Sequence, residues 1–516
     1  MRPKPIYGFV LRSRAAQVAL VLAVCILVFW VRLGHSGLAS SEGFRAIPAW
    51  EMLQSGDWLL TRLFDLPYLR KPPGIVWAIA ASSSVLGQTE FAARAVSALA
   101  TTLACLLTLV VGDRWFGRPR GLCAACAFAL MPCFWMPSRS AEIEALHNFL
   151  ALASAVVIVE LALSRPARPA WKSAVLAAVG GVCIGATLLT KGPAAAPFLA
   201  AVLAGACVSS RSIRAMVRPW IGFAAIAGVL IFVAWYAVLR TRLDLLHLDS
   251  VTETARFLWR PGKELRVLAL TPSALAGALP WAIALPFALA IRSHAGGRED
   301  LLGGCVSWAV VLGLISYAIL GVDNSRYAMP AITFVPLAYA YALSRHAPSI
   351  GAAGRWGRVM LLNRPLIPIL GFLALGVGYA QWQDNWREQR HSGRRAGIEL
   401  GAALPPNASI VADELIDTRP EVLWYARREA MRRGDGLAVR WRPGLALDPG
   451  LASDSEFVAF RSDEAPRENT EPEWTVLKRG RGNATPTPWY TGTVHVFEFA
   501  VFKPGSFANR VPGSPP

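Results

Sequence analysis

Long apolar runs recur along this chain, each close to the roughly 20 residues a helix needs to cross a bilayer. They lie near 15–33, 92–114, 121–137, 145–163, 173–190, 193–208, 219–239, 271–291, 301–320, 327–344 and 364–381. The 516 residues are 54% hydrophobic and only 17% charged, with a mean hydropathy of +0.40. An average soluble domain has about a quarter of its residues charged. That balance excludes a disordered chain and argues against an ordinary cytosolic enzyme. The net charge of +18 invites a nucleic-acid reading. Yet Lys and Arg are scattered between the apolar runs and not gathered on one basic face. The chain reads as a polytopic membrane protein with no nucleic-acid partner.

All eight cysteines (Cys25, Cys105, Cys123, Cys126, Cys133, Cys183, Cys207 and Cys305) fall inside apolar runs. Cys123 and Cys126 match C-x-x-C, but their neighbours are Ala, Leu and Phe. A redox or metal motif needs polar access and further ligands, so the pair reads as small residues packed between helices. No predicted outer loop contains a cysteine, and no disulfide framework is expected there.

The first run follows Met1–Arg14, which carries Arg2, Lys4, Arg12 and Arg14, and no A-x-A-like cleavage site comes after it. It reads as a retained helix with its N-terminus in the cytoplasm. Alternation then puts Arg118/Arg120, Arg165/Arg168/Lys172, Arg211/Arg214/Arg218, Arg292/Arg298 and Arg345/Arg355/Arg358 in cytoplasmic loops. This holds only if Pro73–Gln88, with its three consecutive serines, does not cross; it is therefore expected to be an interfacial or re-entrant helix. About eleven spans result, with the C-terminus outside. Beyond Gln381 the chain turns polar, and 382–516 reads as a soluble domain. Short β-rich runs occur at Ser409–Ala412, Phe457–Phe460, Thr475–Leu477 and Thr493–Phe502, and a helical stretch lies near Arg419–Arg433. The expected fold is an α-helical polytopic membrane protein: a transmembrane catalytic domain over 1–381 with an outer loop at 34–91, and a small α/β periplasmic domain over 382–516.

The outer loops mix acids and bases at membrane depth, where ionisable groups are costly and usually functional. They include Ser41-Glu42-Gly43-Phe44-Arg45, Glu51 to Trp58, and Tyr68 to Pro73 with Lys71. Ser138 to Glu144, Lys191-Gly192-Pro193, the 240–270 loop and Asp323 to Tyr327 complete the set. Carboxylates beside lysines and arginines at a lipid interface suit an anionic lipid head group. The bases hold a phosphate, and a carboxylate takes a proton from an incoming hydroxyl. The bland reading of any one of these residues alone is an anchor for a loop at the head-group level; the clustering on one face favours chemistry.

Four patterns carry a resemblance: Ser41–Trp58, Lys71–Trp77, Gly87…Glu90…Arg94, and Arg139…Glu144. Over roughly 15–345 the chain resembles the bacterial C-type (GT-C) glycosyltransferases, which are similar to protein O-mannosyltransferases and lipid A aminoarabinose transferases. The E-M-L-x-S-G-D-W and K-P-P-x-x-x-W patterns carry most of it. The resemblance implies an inner-membrane enzyme that takes a sugar from a polyprenyl-phosphate carrier on the periplasmic face. The sugar passes, with inversion, to a lipid, glycan or protein acceptor. It also implies the site residues. Glu42 occupies the Glu of the family's Asp-Glu pair, with Ser41 in place of the Asp. Glu144 stands five residues after Arg139, where the family has Asp. Either is the candidate general base, with Glu142 as a third carboxylate. Lys71 would contact the carrier phosphate and Arg326 would be a second phosphate ligand. Arg45, Arg139 and Tyr327 are further substrate-binding candidates, and Arg256 and Arg260 lie in a loop long enough to close over the donor. His147, one helical turn after Glu144, reads as a satisfied helix-end histidine, and Lys191 as a helix cap. No spacing among Glu42, Glu142 and Glu144 is diagnostic of a metal, and the basic residues offer a metal-free way to neutralise a leaving phosphate; no cofactor is expected. The alternative is a transporter or flippase of a lipid-linked sugar. The polar residues on one face and the lack of an internal repeat favour the enzyme.

Overall fold

The computed structural model describes residues 13–64, 66–163, 168–242, 264–291, 297–322, 324–345, 366–390, 393–412, 416, 419–441, 456–461, 476–484 and 495–502. In chain order the first helices are α1 (Arg14–Cys25, running on in π geometry to Trp30) and α2 (Gly43–Ser55). The short strands β1 (Arg62–Leu63) and β2 (Leu66–Pro67) and helices α3 (Gly74–Leu86) and α4 (Glu90–Phe116) follow. Next come α5 (Arg120–Leu130), α6 (Pro132–Ser138), α7 (Ile143–Ala162), α8 (Ala170–Lys191), α9 (Ala196–Ser210) and α10 (Pro219–Arg240). The helical part closes with α11 (Glu264–Gly277), α12 (Ala284–Ala290), α13 (Arg298–Ile319), α14 (Ser325–Ile332), α15 (Val335–Arg345) and α16 (Leu366–Arg390). Helix α17 (Arg394–Ala403), strand β3 (Ala408–Ala412), helix α18 (Pro420–Arg432) and strands β4 (Leu437–Trp441), β5 (Glu456–Arg461), β6 (Val476–Ala484) and β7 (His495–Phe502) end the chain.

These elements fall into two compact units. The first holds 1–33, 69–78 and 94–381. Among its described helices five are long and apolar enough to cross a membrane: α4, α7, the Ala170–Ser210 stretch, α10 and α13. There are up to seven if each of two bent pairs counts as one span. The pairs are α5 with α6, bent by 64°, and Leu270–Gly277 with Trp281–Ala290, bent by 114°. This is fewer than the eleven apolar runs, for local reasons. The 327–344 run splits into α14 and α15, with Pro330 and Pro336 each removing a backbone donor from the helical ladder. The 15–33 run passes into π geometry at Ile26. The 173–190 and 193–208 runs are joined through a single turn at Gly192.

Where helices of this unit pack, small residues let their backbones approach. Gly180, Gly181 and Gly185 of α8 face Ala224, Ala227 and Ile231 of α10, and a Cβ on Gly205 of α9 would stand 2.7 Å from the Cys305 carbonyl oxygen. The opposite side of α10 leaves Phe223, Ile226, Leu230 and Val238 more than half exposed. A wholly apolar helix buried on one side only is what a lipid-facing span requires. Helix α3, with 13 residues, is about 20 Å long and too short to cross the hydrocarbon unaided.

The second unit holds 34–68, 79–93 and 382–516. Its five-stranded sheet has the order β4-β3-β5-β7-β6. Strand β3 runs parallel to both β4 and β5, while β7 runs antiparallel to β5 and β6. The parallel β3–β4 pair needs a crossover, which α18 supplies. Four of these strands overlap the β-rich runs of the sequence; β4 has no counterpart among them. Helices α17 and α18 pack closely because Gly393, Gly397 and Gly401 repeat every fourth residue. A Cβ on Gly397 would lie 2.4 Å from the Val422 carbonyl oxygen. The Trp50 ring lies 4.8 Å from that of Trp424, tilted by 33°, and its Nε1 donates to Ser83.

Candidate functional site

Three helix ends build a buried charged cluster in the first unit. Helix α7 starts after Glu142, which is extended, and so places Glu144 in its first turn. Helix α8 stops at Lys191 because Gly192 takes φ +62°, a conformation natural to glycine. Helix α14 starts where the Asn324 side chain accepts from the Arg326 amide. Lys191 Nζ then lies 3.3 Å from Glu144 Oε1, and Arg326 Nε 3.5 Å from the same oxygen. Glu144 is 4% and Lys191 6% exposed. The Lys191 ammonium also sits 4.3 Å from the centroid of the Tyr327 ring, a cation–π contact. Two cations share this carboxylate, and the buried Glu142 stands within electrostatic reach of Lys191.

The K-P-P-G segment lies against the end of α8. A Cβ on Gly74 would come 2.8 Å from the Leu189 carbonyl oxygen and 2.8 Å from Thr190 Oγ1. Only glycine lets the segment carrying Lys71 lie there, one turn short of Lys191. The Lys71 side chain is half-buried. His147 is buried on α7. From Tyr327 an apolar groove of about 740 Å³ runs along Pro193, Pro197, Ala200 and Ala204 on one side and Leu312, Ser316 and Ile319 on the other. Tyr327 thus touches the charged cluster and lines the groove.

Of the remaining candidates, Glu142 stays close to Lys191, and the others lie elsewhere. Arg139, 1% exposed, donates to the Val28 and Val31 carbonyls at 3.2 and 3.0 Å and so ties down the end of the first helix. The Glu142 carbonyl accepts from Ser97. In the second unit Glu42 is 1% exposed; its Oε2 accepts from the Ala39 amide at 2.9 Å, and its Oε1 lies 3.7 Å from Arg387. Arg45 is buried and donates to the Phe44 carbonyl. Arg256 and Arg260 lie outside the described residues. Among the described residues no group of three or more His, Cys, Asp or Glu is placed to hold a metal ion.

Sequence reasoning undervalued two residues. Lys191 looked like a helix cap, although a lysine at the end of an apolar run was itself the signal. Glu90 of the second unit was noticed only as part of a pattern. It accepts from Tyr425 Oη at 2.8 Å and pairs with Arg394 at 3.0 Å and Arg428 at 3.8 Å. No local signal could foretell partners more than 300 residues away.

Residues 70–237 match the family described as dolichyl-phosphate-mannose-protein mannosyltransferase. An undecaprenyl phosphate-alpha-4-amino-4-deoxy-L-arabinose arabinosyl transferase of Pseudomonas savastanoi pv. phaseolicola is 35% identical over 111 residues, 21% of this chain and 21% of its own length. The match thus spans about a fifth of that relative. A like-named protein of Pseudomonas fluorescens is 24% identical over 496 residues, covering 92% of this chain and 81% of the relative. The crystal structure of ArnT from Cupriavidus metallidurans bound to undecaprenyl phosphate superposes with a TM-score of 0.70 at 17% identity, covering 95% of this chain and 98% of that one. Its apo form gives 0.69 at 18% identity, covering 94% and 98%. The two proteins share a fold.

Proposed function

We propose that this chain is an integral-membrane glycosyltransferase that moves a sugar from undecaprenyl phosphate to a lipid, glycan or protein acceptor. The observation that carries the reading is the cluster of Glu144, Lys191 and Arg326 at the Tyr327 end of an apolar groove. A polyprenyl-phosphate sugar has the matching halves: an isoprenoid tail for the groove and a phosphate for the two cations. In the reaction an acceptor hydroxyl attacks the anomeric carbon with inversion, and the bond to the carrier phosphate oxygen breaks. The hydroxyl proton passes to a carboxylate, and the carrier leaves as its phosphate. Charge grows on that phosphate in the transition state, where fixed cations in a dry site stabilise it most. Lys191 and Arg326 supply them without a metal cofactor. Glu144, shared between the two, positions them, and the resemblance offers Glu42 or Glu144 as the general base.

The proposed setting is the bacterial inner membrane, with the N-terminus cytoplasmic and the 382–516 segment periplasmic. The basic loops support that orientation. The resemblance to lipid A aminoarabinose transferases favours lipid A as the acceptor class. The test uses the full chain in lipid with radiolabelled undecaprenyl-phosphate sugars. Sugar release by the parent, lost in Lys191→Ala and Glu42→Gln, is the expected result. Movement of unreacted carrier across the bilayer without release would replace the enzyme with a flippase.

A further inference from the structure

Helix α9 ends at Ser210, and Arg211 caps it in the left-handed region, φ +51°. Glycine is the usual occupant there, since any Cβ is crowded. Among the described residues the Arg211 guanidinium makes no hydrogen bond or ion pair, and it stands at the mouth of a cavity of about 350 Å³. Val208, Leu289 and Trp308 give that cavity an apolar wall, with Trp308 38% exposed. Asp300 and Tyr341 lie deeper. They do not neutralise Arg211, because Asp300 is already held by Arg345 Nε at 2.9 Å and Tyr341 Oη at 3.1 Å.

Bases outnumber acids around the cavity, although Arg345 is shared between Glu299 at 3.5 Å and Asp300 at 2.9 Å. Two residues before Asp300, Arg298 reaches Glu160 at 3.2 Å, and Arg168 and Arg114 reach the same carboxylate at 2.7 and 3.6 Å. One buried acid thus faces three guanidiniums. The loop after Arg211 adds Arg214 and Arg218, with Ile213 just before the first and Val217 just before the second 72% and 73% exposed. Exposed aliphatic side chains among arginines, beside an exposed tryptophan, match the boundary between head groups and acyl chains.

We propose that this cavity seats an anionic phospholipid, its phosphate on the Arg211 guanidinium and one acyl chain along Val208, Leu289 and Trp308. A guanidinium fork suits a phosphate diester. A free phosphate would leave the apolar wall uncovered, and a zwitterionic head group would bring its own cation into an already positive place. The site is distinct from the Glu144 cluster and does not depend on its chemistry.

The test is thermal unfolding of the delipidated full chain in neutral detergent, titrated with phosphatidylglycerol, phosphatidylcholine or glycerol 1-phosphate. Phosphatidylglycerol is expected to raise the midpoint at lower concentration than phosphatidylcholine, and glycerol 1-phosphate to have no effect. Arg211→Gly relieves the left-handed crowding, so it should unfold no earlier than the parent in phosphatidylcholine. It should nonetheless need about fivefold more phosphatidylglycerol, as about one lost cationic contact predicts. Trp308→Ala should weaken the same titration. Equal response to both lipids, an unchanged response in Arg211→Gly, or an equal loss in Arg214→Gln would overturn the proposal, the last by showing diffuse surface charge. A full response to glycerol 1-phosphate would overturn it in favour of a free phosphate site.

Discussion

The Lys191 ammonium lies 3.3 Å from the Glu144 carboxylate, and both residues are more than nine-tenths buried. An ammonium with three donors is held here by one carboxylate and the face of Tyr327. It is oriented yet retains capacity for an incoming anion. Lys191→Ala should therefore lower kcat by about 10²- to 10³-fold, the usual loss when one charge-stabilising donor is removed. Lys191→Arg should recover part of it. Glu42→Gln should lower kcat by about 10²- to 10⁴-fold with binding of undecaprenyl phosphate intact. Radiolabelled turnover and carrier binding on the same preparations separate the two roles; lost binding in Glu42→Gln would remove it as the base.

The same pair sets a stability expectation. Removing one partner of a buried ion pair leaves the other charge uncompensated, at a cost of about 3–5 kcal/mol. Glu144→Ala strands Lys191 beside Arg326, so it should destabilise more than Lys191→Met, which leaves Glu144 with Arg326. The double variant Glu144→Leu/Lys191→Met should recover much of the loss. Unfolding midpoints in one detergent decide this, and additive losses in the double variant would show that the pair is not coupled.

Gly74 ties the K-P-P motif to the site. A Cβ at 2.8 Å from the Leu189 carbonyl oxygen cannot be accommodated by rotating a side chain, so Gly74→Ala must push the Lys71 segment or the end of α8 aside. A displacement of about 1 Å near the chemistry can cost on the order of 10²-fold in rate. Gly74→Ala should lose activity on that scale, whereas Gly371→Ala, with open space around its added Cβ, should keep it. Equal activity in both would mean that Gly74 does not set the site.

What could be read from the chain follows from range. The apolar runs are local, and they located α4, α7, α10 and α13 closely. Hydropathy does not register bends, so the run containing Pro330 and Pro336 looked like one span although it folds as two helices. Glu144 and Arg326 stood out because charges beside apolar runs are costly. Their meeting on one oxygen through Lys191 was hidden, since the three lie on separate helices. The Gly393-Gly397-Gly401 spacing was visible in the letters, but its meaning comes from the approach of α18, which no local pattern states.

Glu421 gives the second unit a pH dependence. It is fully buried, and burial pushes its carboxyl above the ordinary 4.5, against the opposing pull of Arg419 at 2.6 Å. A carboxyl whose pKa is raised on folding is protonated more readily in the folded chain than in the unfolded one. Its contribution to stability is therefore complete below about 4.5 and is lost as pH rises through the raised folded value. The parent's unfolding midpoint should fall, relative to that of Glu421→Gln, as pH is taken upward from 4.5. Glutamine cannot ionise and keeps an acceptor for Arg419, so the variant should show the flatter profile. Hydrogen exchange of peptides from α17 and α18 reads the effect locally: protection there should decline with pH in the parent, after correction for intrinsic exchange, and hold in the variant. Parallel profiles in the two proteins would show that Glu421 does not titrate on folding.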